Sequence, residues 1–214
     1  AYPGNVYWVD SVAGSDGNKG TFDRPFATID YAIGRCTASN GDIIMVKPGH
    51  TETVAAAGGI DANVAGVAIV GLGAGRDRPT INFTATASDI DIDAANITFK
   101  NIFFDVTGID AVVGALDVNA ADFTLEDCEV LMADGAGQAT EFIVTATAAD
   151  RMAVLNNVIR APNAGANNAI SIEGTPDGIE ITGNRIYGDF ADACIHNPTG
   201  NVATNLVING NYLQ

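Results

Sequence analysis

Ile97-Thr-Phe-Lys-Asn-Ile-Phe-Phe104 decides the fold, because the chain writes the same eight-residue pattern four more times. The copies are Phe123-Thr-Leu-Glu-Asp-Cys-Glu-Val130, Met152-Ala-Val-Leu-Asn-Asn-Val-Ile159, Ile179-Glu-Ile-Thr-Gly-Asn-Arg-Ile186 and Leu206-Val-Ile-Asn-Gly-Asn-Tyr-Leu213. Their first residues lie 26, 29, 27 and 27 positions apart. Each copy alternates apolar and other residues, then reaches an Asn, Asp or Gly where a bend is cheap, then adds another apolar pair. A weaker copy begins at Val67, and Ile43-Ile-Met-Val46 reads as the first strand.

A second short strand precedes each copy: Ile90-Asp-Ile92, Leu116-Asp-Val118, Phe142-Ile-Val144, Ile170-Ser-Ile172 and Cys194-Ile-His196. The repeat leaves no room for the crossover helix that a βαβ unit needs. Stacking the repeats as parallel rungs buries each apolar face against the next. The fold class expected is therefore all-β, a parallel β-helix with rungs of about 27 residues. About seven rungs at the interstrand spacing give a core roughly 34 Å long. Ile97, Phe99, Phe123, Leu125, Val154, Ile179, Ile181 and Ile208 should point inward. Asn157, Asn184 and Asn211 fall in register at the bend, where stacked amides can hydrogen-bond along the rod and the left-handed backbone is tolerated.

Residues 1–50 differ from the rest. Asp10 to Gly20 is a turn-rich loop, and Pro25 to Cys36 places Phe26, Ile29, Ala32, Ile33 and Cys36 at helical spacing, with Asp23 as the expected N-cap. A solenoid needs its terminal rung covered, so residues 1–50 are read as an N-terminal cap and 51–214 as the β-helix, together one domain. The chain stops in a repeat strand, leaving the far end exposed, covered by a partner or continued in a longer protein.

The 26 acidic residues against 10 basic ones give a formal charge of −16, which disfavours nucleic acid and anionic lipid as partners. No apolar stretch is long enough to span a bilayer. Three scattered cysteines, Cys36, Cys128 and Cys194, form neither a disulfide framework nor a metal motif and read as buried free thiols, as in a reducing compartment. The start, Ala1-Tyr-Pro-Gly-Asn5, shows no signal peptide.

Several stretches resemble the opening of pectate-lyase-like right-handed parallel β-helix proteins. They are Tyr7-Trp-Val-Asp10, Gly14-Ser-Asp-Gly-Asn-Lys-Gly20, Pro25-Phe-Ala-Thr-Ile29 and Gly41-Asp-Ile-Ile-Met-Val-Lys-Pro-Gly-His50. Pro48-Gly-His-Thr-Glu-Thr53, Val64-Ala-Gly-Val-Ala-Ile-Val-Gly-Leu-Gly73 and Arg78-Pro-Thr-Ile-Asn-Phe83 are most similar to the bacteriophage virion members. The resemblance implies a right-handed coil and a place on the virion; the free thiols and the start without a visible signal peptide add the expectation of synthesis in the host cytoplasm. It also implies side-by-side association, as a trimer, and contact with other virion proteins of capsid or tail.

The lyases of this kind use calcium held by carboxylates and an Arg or Lys as base. The best acidic group here is Asp89, Asp91 and Asp93, alternating with Ile90 and Ile92, with Asp117 one rung on; alternation aims them outward, where hard oxygens can hold Ca²⁺. Three acids on one face also suit a plain solvated surface. No base joins them. Lys100 faces Glu126 on the next rung as an ion pair. Arg76 and Arg78 fall in a turn, Arg151 follows Asp150, and Arg160 and Arg185 stand apart. Glu126, Asp127 and Glu129 are glycosidase candidates by proximity only, and His50 and His196 are lone histidines. No catalytic, cofactor-binding or metal-ligating residue is therefore assigned. The expectation is a non-enzymatic virion structural protein, a head decoration, spike or fibre element. The alternative is a tailspike- or lyase-like module that binds or cleaves a host-surface glycan. A cell-surface adhesin is a third reading, and should carry an export signal.

Overall fold

The computed structural model describes residues 4–135 and 137–214; the first three residues of the stretch read for a leader lie outside the described residues. It is a parallel β-solenoid whose strands form three parallel sheets of eight, seven and six members. The first sheet runs from Val6–Val9 to Val207–Asn209, the second from Thr51–Val54 to Tyr212–Leu213, and the third from Ile60–Asp61 to Ala193–His196. Apart from Val6–Val9 and Ile43–Val46, neighbouring strands within a sheet are one turn apart in the chain, and the six-stranded sheet counts about six turns.

Each eight-residue repeat is two strands, where the sequence reading saw one strand and a bend. Thr98–Lys100 lies in the first sheet, and Phe103–Asp105, after the corner at Asn101, lies in the second. The apolar pair closing each repeat thus starts another sheet. The strand preceding each repeat supplies the third sheet, as with Ile90–Ile92.

Alternation fills the core in columns. Ile44, Ile69, Phe99, Leu125, Val154 and Ile181 stack in the first sheet, and Ile81, Phe104, Val130, Ile159 and Ile186 in the second. All are buried. Each such side chain contributes roughly 1.5–3 kcal/mol on removal from water. Of the eight residues expected inside, seven are. Ile208 continues the column above Ile181 yet is 46% exposed, because it lies on the last strand of its sheet with no turn beyond to cover it.

The expected helix over Pro25 to Cys36 is only Ile29–Ile33. Thr28 is its N-cap and accepts from the Tyr31 amide at 3.2 Å; Asp23 is not. Pro25 and Phe26 stay extended because Phe26 exchanges backbone hydrogen bonds with Trp8 and Asp10, on the outer edge of strand Val6–Val9. That pairing outweighs helical spacing. The helix buries Ile29, Ala32 and Ile33 against the strands of the first turn.

Two corners recur. Asn101, Asp127, Asn156, Gly183 and Gly210 take the left-handed conformation between the first and second sheets. Asn96, Asp122, Arg151, Gly178 and Asn205 do so ahead of the first sheet. The left-handed residue is therefore the one before Asn157, Asn184 and Asn211, a one-residue correction to the sequence reading. The side chains of those three asparagines do form the expected ladder. Asn184 Oδ1 accepts from the Asn157 backbone and side-chain amides at 2.9 and 3.0 Å, and Asn211 Oδ1 accepts likewise from Asn184 at 2.8 and 3.0 Å. Cys128 occupies the same column: its Sγ accepts from the Ile102 amide at 3.4 Å, and its own N–H donates to Asn157 Oδ1 at 2.8 Å. Cys128 is a buried free thiol as expected, whereas Cys36 and Cys194 are free but only half-buried.

Candidate functional site

The outer face of the third sheet carries the acidic residues. Parallel register puts Asp61, Asp91 and Asp117 in one column, each directly beside the next. The opposite face of these strands holds Ile60, Ile90 and Leu116 in the core, so alternation forces the carboxylates outward and together. Asp89, at the turn before Ile90–Ile92, joins them: oxygens of Asp89, Asp91 and Asp117 lie within 4.8 Å of one another. Asp93, grouped with these residues by sequence, is exposed and accepts from Asn119 Nδ2 at 2.9 Å, outside the cluster.

Beside the column opens a cleft of about 410 Å³, walled by Asp89, Asp117, Glu141 and Glu173, with Thr86 and Val113 at its rim. Partial burial pushes the Asp117 carboxyl up to about 6, helped by the charges of Asp89, Asp91, Glu173 and Glu141. Asp91 is raised for the same reasons, with burial first and then Asp89, Asp93 and Asp61. Asp89 accepts from the Gly58 amide. Glu141 accepts from Asn168 Nδ2 at 3.2 Å, and Glu173 from the Ser171 hydroxyl at 3.3 Å. The sequence reading missed Glu141 and Glu173. Glu173 lies in a turn outside the strands, and Glu141 is out of phase with Asp117 by three residues, so repeat spacing alone did not connect them.

The bases lie elsewhere. Lys100 meets Glu126 at 2.9 Å, as the register predicted, and also Asp127 at 3.2 Å. Glu129 sits between Arg78 at 3.3 Å and Arg160 at 3.4 Å. Arg151 grips Asp122 one turn away with two bonds, at 2.7 and 2.8 Å, rather than its neighbour Asp150. The glycosidase candidates Glu126, Asp127 and Glu129 are thus engaged with cations. Arg185 stacks over Tyr187 and Tyr212, and exposed Arg76 lies in the short 3-10 helix Gly75–Asp77 rather than the expected turn. His50 pairs with Glu52 in the first turn, and His196 sits in the last strand of the third sheet.

Chemically, the cleft gathers oxygen donors that repel one another. Such a group shares protons, holds a hard cation, or contacts sugar hydroxyls. Oxygens around one Ca²⁺ at ~2.4 Å lie no more than about 4.8 Å apart, so the donor set fits that ion.

No protein-family model matches the chain, and no curated protein does. Among solved structures it is similar to a rhamnogalacturonan lyase, with a TM-score of 0.61 and 14% identity over 98% of this chain. The chain spans 62% of that lyase's length. It is also aligned with a GH136 lacto-N-biosidase from Eubacterium ramulus at 10% identity, over 97% of this chain and 55% of the other, but a TM-score of 0.32 carries no weight. At these identities the likeness is one of fold alone, the parallel β-helix.

Proposed function

We propose that this chain is a non-enzymatic structural protein exposed on a bacteriophage virion, with its coil right-handed and residues 1–50 capping the first turn. Its partners are other virion proteins and further copies of itself. The observation that carries the non-enzymatic part is the separation of charges. The cleft on the third sheet is walled by four carboxylates, while Lys100, Arg78, Arg160 and Arg151 are tied into ion pairs elsewhere. A lyase needs a base beside the carbon it deprotonates, and no Lys, Arg or His is among the described residues lining this cleft. The virion part rests on the likeness of Pro48-Gly-His-Thr-Glu-Thr53 and the segments after it to virion proteins.

Two experiments test this. The protein should copurify with particles that also contain a capsid protein and DNA; its absence from such particles in infected cells contradicts the virion reading. Incubation with pectate, alginate or host capsule should release no unsaturated or reducing ends.

One observation favours a second reading. Asp117, its carboxyl raised to about 6 mainly by burial, has an oxygen within 4.8 Å of Asp89 and Asp91, and glycan chemistry uses neighbouring carboxyls of which one is raised in this way. In that reading the cleft binds or cleaves a host-surface polysaccharide: either Asp117 supplies the proton, or Ca²⁺ held by the ionised carboxylates of Asp89, Asp91 and Asp117 would draw in a carboxylated sugar. Reproducible cleavage lost in Asp117→Asn would establish it over the first.

A further inference from the structure

One column of the core is broken by a charge. Along the second sheet the inward register runs Glu52, Ile81, Phe104, Val130, Ile159, Ile186. Every position but the first is a large apolar residue. Glu52 is 8% exposed and faces the core from the edge strand of its sheet. A carboxylate there costs desolvation that a leucine would not, so its presence calls for compensating contacts.

Those contacts lead to the N-terminal segment. Both Glu52 oxygens accept from the Ile29 amide, at 3.0 and 2.8 Å, at the start of helix Ile29–Ile33. His50, itself buried, places Nε2 3.1 Å from Glu52 Oε2. Return contacts come from the segment to the edge strands. Ser11 Oγ accepts from the Thr51 amide at 2.9 Å, and Asp30 Oδ1 accepts from the Asp61 amide at 3.0 Å. Those edge amides belong to the first strands of the second and third sheets, where no earlier turn supplies a partner.

We propose that Glu52 is a latch: its buried carboxylate holds the segment around Ile29 across the first turn as a strap, and the strap closes edge strands that another chain could otherwise extend. The proposal rests on the reading of residues 1–50 as a cap and adds which group fastens it. Burying a charge where an apolar residue would pack exchanges stability for specificity. The strap adds these directed bonds to the burial of Ile29, Ala32 and Ile33, and as an edge element it opens ahead of the rod behind it.

Residue-resolved hydrogen exchange on the full chain tests this, with Glu52→Leu and Glu52→Gln. Glu52→Leu restores the apolar column and removes the acceptor. Its Ile29 and Ile33 amides should exchange about tenfold faster or more, while amides of Thr124–Glu126 keep the parent's rate. Glu52→Gln, which keeps an acceptor, should fall between the two. Unchanged Ile29 protection in both variants overturns the latch and leaves the cap standing, whereas an unprotected Ile29 in the parent overturns the cap itself. Protection lost equally at Thr124–Glu126 in both variants makes Glu52 a support of the whole rod and also overturns the latch.

Discussion

The rod stacks like upon like in two polar columns, and their fates are opposite. At the corner between the first and second sheets, Asn157 and Asn184 are 1% exposed, and amide meets amide with donor against acceptor at every step. On the third sheet Asp61, Asp91 and Asp117 stack in the same parallel register, but acid meets acid with no amide between them. An amide carries both halves of a hydrogen bond and gains from repetition; a carboxylate carries one half and repels its copy. Asp42 shows that burial alone is not the cause. Burial pushes its carboxyl up too, yet the amides of Thr37 and Asn5, with the Asn40 and Asn5 side chains, hold it below the usual range. A column whose members repel one another costs stability. It persists where something other than stability maintains it, and for that reason the third sheet, not the ladder, is the candidate functional face.

The comparison depends first on inside and outside being assigned correctly. Ile181→Asp puts an unpaired charge between Val154 and Ile208 in the core and should abolish the cooperative unfolding transition seen by circular dichroism. A variant melting like the parent would dissolve both columns as described. The next largest effect is on the ladder. Asn184→Ala strands the Asn157 amide and the Val154 carbonyl, which Asn184 Nδ2 reaches at 2.7 Å, so urea unfolding should show a loss of about 3 kcal/mol. A loss below ~0.5 kcal/mol would reduce the ladder to decoration of an ordinary turn.

Much of this was legible in the sequence, because repetition at 26 to 29 residues reports directly on what stacks. The core columns, the Lys100–Glu126 pair and the asparagine ladder all follow from counting in that period. The third strand of each turn was not legible. Segments such as Phe103–Asp105 are three residues long, too short to alternate visibly, and follow a corner that looks like any turn. The strand Val6–Val9 was hidden because its partner, Ile43–Val46, is separated by a loop and a helix and not by one repeat. At the site, Asp89, Asp91 and Asp117 were read correctly as outward and adjacent, but Glu141 lies three residues before, and Glu173 two residues after, the positions in register with Asp117, which period counting does not register. Helical spacing over Pro25 to Cys36 misled because backbone pairing of Phe26 with the edge strand outweighs periodicity.

The smallest effect expected is also the most direct test of the central claim, that the carboxylate column is held together at a cost. Asp117 binds its proton more tightly folded, at about 6, than unfolded, near the ordinary value of 3.8. Between those values the folded chain carries more protons than the unfolded one. Its contribution is therefore fully present below 3.8 and is lost as pH rises through about 6. Urea unfolding at pH 7 and pH 5 should show the parent gaining about 1 kcal/mol more on acidification than Asp117→Asn, after allowance for the half-exposure of the group. Equal responses of parent and variant, or a parent that loses stability relative to the variant at pH 5, would contradict the account.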